Sequence, residues 1–138
     1  YDGPGKAVVS SPKKTIKCAD TMSGGSVHLY EPAHDKPLVL CEGIETGLAI
    51  GDYTGWPVWS CVNRTMMEKV ELPESIKSVF IGADKDLSGA GLASAQKLSR
   101  RLIDEGRKVR INLPPAPIPE GSRGVDWLDC LKKEVSYV

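Results

Sequence analysis

The sequence has no apolar run long enough to cross a bilayer, no CxxC pair, only two histidines and no surplus of charge of either sign. Each absence removes a class of function. Without a membrane-length segment, no membrane partner is expected. Cysteines at positions 18, 41, 61 and 130, with His28 and His34 as the only imidazoles, lack the paired spacing of a structural zinc site. Eighteen Lys plus Arg balance eighteen Asp plus Glu, so the chain as a whole lacks the footprint of a non-specific nucleic-acid binder. A local basic track is left open, with Lys13, Lys14, Lys17, Arg64, Arg100 and Arg101 as its members, although such residues also serve as ordinary solvated charges. With a single Phe in the chain, Trp56, Trp59 and Trp127 read first as packing bulk.

What is present fits one compact domain: 138 residues, 41% hydrophobic and 26% charged. Because the first residue is Tyr1, the chain is expected to be a piece of a larger polypeptide. Cys41 and Cys61 lie inside apolar runs and read as buried reduced thiols, which points to the cytoplasm. From Pro37 onward, short apolar runs alternate with helical periods, the signature of an α/β parallel sheet. PLVLCEG (37–43), PVWSCV (57–62), SVFIGAD (78–84) and KVRINL (108–113) read as strands. Helices are expected after Ile44, with Gly55 as the stop, over 63–70, from about Leu92 to Ile103, and over the closing DWLDCLKKEV. PPAPIPEGSRG (114–124) reads as a loop. Residues 1–36 differ, with KAVVS, KKTIKC and SVHLY forming an antiparallel β-ribbon that leads into a domain over 37–134.

Open parallel sheets bind ligands beyond the carboxyl ends of their strands. Glu42 lies at that end of the first predicted strand, and Asp84 and Asp86 at that end of the third. Residues i and i+2 of an extended chain point the same way, so the two aspartates are expected to reach one point beside Glu42. Three gathered anions repel, and a hard cation, Mg²⁺ or Mn²⁺, relieves that repulsion. Ser88 and Gly89 open the following helix, where free N–H groups favour a phosphate. The bland alternative for a strand-end aspartate is a helix cap.

LCEGIETGLAI, then IGADKDLSGAG, then VDWLDCL, in that order between Leu38 and Leu131, resemble the Toprim domain of primases, topoisomerases, OLD-type nucleases and recombination-repair proteins. The set is most similar to the Toprim segment of plasmid- and phage-type primases and primase-helicases. The resemblance implies a Rossmann-like fold of about four parallel strands flanked by helices. It implies Glu42 as general acid/base or metal-linked carboxylate and Asp84 and Asp86 as Mg²⁺ ligands. Gly43, Lys85, Ser88, Gly89, Arg123 and Asp126 would serve phosphate or nucleotide binding. The partners it implies are nucleotides, a single-stranded DNA template and other domains of the parent, a helicase among them. Strand cleavage, or a scaffold role without chemistry, are the alternatives within the family. Two departures stand out. Relatives carry Lys-Asp-Trp-Asn-Asp where this chain has Val125-Asp126-Trp127-Leu128-Asp129, and Thr46 occupies a position that is Asp in some bacterial primases.

Overall fold

A computed structural model describes residues 23–135. Its centre is a five-stranded sheet in the order β1-β3-β2-β4-β6. Four strands are parallel: β2 (Leu38–Cys41), β3 (Val58–Ser60), β4 (Ser78–Gly82) and β6 (Lys108–Asn112). This is the predicted four-stranded parallel sheet of a Toprim-like α/β fold. The fifth, β1 (Val27–Tyr30), is the SVHLY run, and it pairs antiparallel with β3 at the sheet edge. The other two runs of the expected N-terminal ribbon lie outside the described residues.

The unalternating run of β2 is buried at all four positions, because helices cover both of its faces. On one face, Leu38, Leu40, Val79 and Ile81 pack with Met67 of α2 (Arg64–Lys69) and with Ala95, Leu98 and Leu102 of α3 (Ala90–Asp104). On the other, Val39, Cys41 and Val58 meet Ile50 of α1 (Ile44–Thr54) and Trp127 and Leu131 of α4 (Trp127–Val135). Gly55, in the left-handed region, caps α1 as expected. The glycines inside α1 weaken it as a helix but are needed for its position. A Cβ on Gly51 would overlap the Tyr30 ring, and one on Gly47 would stand 2.6 Å from Leu29. The helix therefore lies closer to the sheet than any side chain would allow.

The connections set the functional edge. From β2 the chain crosses to β3 on one side, then to β4 on the other side of β2. The strand order reverses between β2 and β4, and a crevice opens there at the carboxyl ends. One small element was not legible beforehand. β5 (Lys85–Asp86) and β7 (Gly124–Val125) pair antiparallel into a ribbon that folds the proline-rich loop over this edge. No helix among the described residues is long and apolar enough to cross a membrane.

Candidate functional site

Cys41 and Gly82 are register partners in β2 and β4, so Glu42 and Asp84 leave the sheet on the two strands that flank the switch point. They share an open cleft of about 280 Å³ with Arg64, Asp86, Arg123 and Asp126. Asp84 is half-buried, and its carboxyl is pushed up to about 6, first by burial and then by the neighbouring charges of Glu42 and Asp126. Arg64 acts in the opposite sense. Glu42 is also half-buried, and its side chain has no hydrogen-bond partner among the described residues. Its carbonyl accepts a 3.0 Å bond from Ser60 Oγ, which fixes the backbone where the acid emerges.

The two aspartates of the DxD pair serve different neighbours. β4 ends at Gly82 and β5 begins at Lys85, so the chain between them is not one continuous strand. The carboxylate of Asp86 turns to the start of α3 and accepts from the N–H groups of Ala90 at 3.2 Å and Gly91 at 2.9 Å, and from the Ser88 hydroxyl. These bonds, the Ser88 bond first, hold its carboxyl below the ordinary carboxylate range. The helix start that the sequence offers to a phosphate is thus filled by the chain's own anion. Gly91 makes this approach possible, since a Cβ there would lie 2.6 Å from the Asp84 carbonyl. Gly89 caps α3 in the left-handed region. Gly43 has an extended backbone, and an added Cβ would meet only Thr46 at ordinary contact distance.

Lys85 donates from Nζ to the Ala116 carbonyl at 2.8 Å, anchoring the proline-rich loop. Arg123 lies on the exposed rim of the cleft, and its carbonyl accepts from the Leu87 N–H. Asp126 and Asp129 cap α4 reciprocally: each carboxylate accepts from the other residue's backbone N–H, at 2.8 and 3.3 Å. Burial raises the Asp126 carboxyl above its ordinary value.

Arg64 is the residue whose place sequence reasoning missed. It opens α2, and its guanidinium stands 3.6 Å from Asp86 Oδ2, while Nε is buried without an acceptor. The Asn63 side chain caps α2 through the Met66 N–H, which aims Arg64 into the cleft. Just before it, Val62 holds φ at +70°, a region costly for a β-branched residue. The available signal was Asn63 as a helix-start residue. Of the proposed basic track, Arg101 is tied to the carbonyls of Glu68 and Val70 and Arg64 faces the acids, and the three lysines lie outside the described residues. Cys41 and Cys61 are buried free thiols raised to about 12, mainly by burial. They are inert packing groups.

A family model for the Toprim domain matches residues 37–136, most of the chain. The chain belongs to the Toprim family. Comparison with curated proteins and with solved structures returns no match. Toprim domains bind divalent metals such as Mg²⁺. The donor set here suits one: hard carboxylate oxygens, with Asp84 raised first by burial and then by the charges of Glu42 and Asp126. Among the described residues no three His, Cys, Asp or Glu side chains are grouped so that they could hold a metal ion together. A fit to Mg²⁺ therefore rests on one or two carboxylates with the ion's own waters.

Proposed function

We propose that this Toprim domain is the catalytic module of a plasmid- or phage-type DNA primase, joining nucleotides into a primer as part of a longer polypeptide. Family membership is consistent at the coarser level with nucleotidyl transfer or nuclease chemistry. The observation that carries the catalytic reading is the facing of Glu42 and Asp84 across the switch point, with Asp84 raised to about 6 beside Glu42 and Asp126. A scaffold gains nothing from gathering anions at such a cost.

Asp84 and Glu42 would hold Mg²⁺, with Asp86, whose oxygens accept from Ser88, Ala90 and Gly91, fixing the start of α3 beside them. Bound there, the metal would neutralise phosphate oxygens and favour in-line displacement at phosphorus. Glu42, with no side-chain partner among the described residues, would either link to that metal or, unligated, accept the proton of an attacking hydroxyl. Arg64 and Arg123 bracket the cleft with guanidinium groups suited to phosphate oxygens. Asp86 keeps α3 against the end of β4 through Ala90 and Gly91.

The test is template-dependent primer synthesis by the chain, alone and within its parent polypeptide. Glu42→Gln and Asp84→Asn are each expected to lower the rate by about 10²–10⁴-fold, and Asp84→Asn to abolish Mg²⁺ binding in titration calorimetry. Cleavage of DNA without joining, lost in the same variants, would favour the nuclease reading. Absence of both activities with Mg²⁺ and Mn²⁺ would overturn the catalytic reading.

A further inference from the structure

Away from the acidic cleft, two hollows near the amino ends of the strands are lined by cations and by no acid. α1 and α4 pack over Val39, Cys41 and Val58 on their side of the sheet, and Phe80 of β4 sits half-buried at the margin of that cluster. Beyond it, β6 alternates: Val109 and Ile111 pack toward α3, while Lys108, Arg110 and Asn112 are exposed. Ser78 is the register partner of Lys108, and Phe80 of Arg110, so these four side chains share one face. Two hollows of about 290 and 400 Å³ meet at Ser78. His34, Lys36 and Lys77 line the first, and Trp56, Phe80, Lys108 and Arg110 the second, with no Asp or Glu in either.

Cations without a side-chain partner among the described residues occur elsewhere too, at Lys69, Arg100 and Arg123, but here four of them line two adjoining hollows that contain no acid. Arg64, Lys97, Arg101 and Arg107 each have a carboxylate partner, and Lys85 has a carbonyl. The side chains of Lys36, Lys77, Lys108 and Arg110 have no hydrogen-bond or ion-pair partner among the described residues. Beside them Trp56 and Phe80 stand edge to face, ring centroids 5.7 Å apart. Free cations with half-buried aromatic rings on an uncovered sheet face match a single strand of nucleic acid: the cations meet phosphates and the rings meet bases. An acidic protein segment would use the cations alone.

We propose that the surface running from the sheet end at Lys36 and Lys77 onto the face of Lys108 and Arg110 binds single-stranded nucleic acid and leads it toward the acidic cleft. The direction is set by β6, which runs about 13 Å from Lys108 to Asn112, whose carbonyl accepts from the Ala83 N–H beside Asp84. The identity of the occupant rests on the nucleotidyl-transfer reading above.

Binding is measured by fluorescence anisotropy of a labelled oligothymidylate, with the whole chain, in EDTA, across a salt series. The double variant Lys108→Ala/Arg110→Ala is expected to bind at least tenfold more weakly. Its slope of log affinity against log salt should fall by about 1.4, two contacts at roughly 0.7 each. Phe80→Ala should weaken binding about tenfold with the slope unchanged, and an unchanged melting temperature in Lys108→Ala/Arg110→Ala confirms that fold is not the cause. No binding by the wild-type chain at low salt, wild-type affinity in the double variant, or equal competition by polyglutamate would each overturn the proposal. Because the assay contains no metal, its failure is separate from that of the primase reading. Binding through Lys108 and Arg110 without nucleotide joining would sink only the latter.

Discussion

Helix α2 places one charge in each of two contrasting environments. Arg64, at its start, faces the acidic cleft. Glu68, one turn on, joins a seam with α3, where it accepts from Ser94 Oγ at 2.6 Å and Lys97 Nζ at 2.8 Å. Those bonds, the Lys97 one first, hold the Glu68 carboxyl below its ordinary value. Nearby, Arg101 bonds the Glu68 and Val70 carbonyls, and Arg107 bonds those of Leu72, Pro73 and Ile76. In the seam every one of these charges has a partner and ties chain to chain. In the cleft, Glu42, Asp84 and Asp126 share Arg64 and one another's repulsion. Removing a charge should therefore destabilise the seam and stabilise the cleft.

The largest expected effect is at Arg107, whose side chain is 8% exposed. Arg107→Ala strands three carbonyl acceptors and is expected to cost about 2–4 kcal/mol in urea denaturation. A loss below about 1 kcal/mol would break the contrast on the seam side.

The cleft side is sharpened by Asp84→Asn. The Asp84 carboxyl titrates near 6 in the folded chain against 3.8 as its ordinary value, so between these values the folded state holds more protons than the unfolded. The Asp84 contribution to stability therefore falls as pH rises through about 4 to 6, and its penalty is complete above 6. Discounted for the solvent that still reaches the group, it is on the order of 2 kcal/mol. Asp84→Asn should raise the melting temperature at pH 7, flatten its decline between pH 4 and 6.5, and lose activity. A lower melting temperature at pH 7 would mean that Asp84 is a stabilising charge.

The smallest effect belongs to Lys97, whose side chain is 74% exposed although its bond to Glu68 is short. Lys97→Ala should change stability by less than about 0.5 kcal/mol by the same denaturation. A larger loss would show that the seam depends on its exposed pairs as well as on its buried arginine.

Much of the fold was legible because its signals are local. Leu38 to Cys41 is an apolar run, and it became a strand buried on both faces. The spacing of Leu98 and Leu102 against Arg100 and Asp104 marked α3. Glu42 and Asp84 could be named because a strand's end is visible in sequence, and so is an acid at that end. Asp86 shows the limit. Its spacing from Asp84 suggested a shared direction, but the strand stops at Gly82 and the side chain caps α3 through Ala90 and Gly91. The cap was the simpler use of a strand-end aspartate. Arg64 and the β5–β7 ribbon were not legible, because each depends on residues about twenty or more positions away.

The α/β alternation, the order of the acidic motifs and the resemblance to Toprim domains follow from residue order, since periodicity and motif spacing are properties of neighbours along the chain. Tertiary structure alone decided which strands became neighbours. By reversing the strand order at β2, it brought Glu42 and Asp84 to one crevice and shifted the Asp84 carboxyl, for burial and Coulomb interaction depend on distance in space. It also separated a neutral chain into an acidic edge and a face of cations without partners among the described residues, a division that the balanced composition conceals.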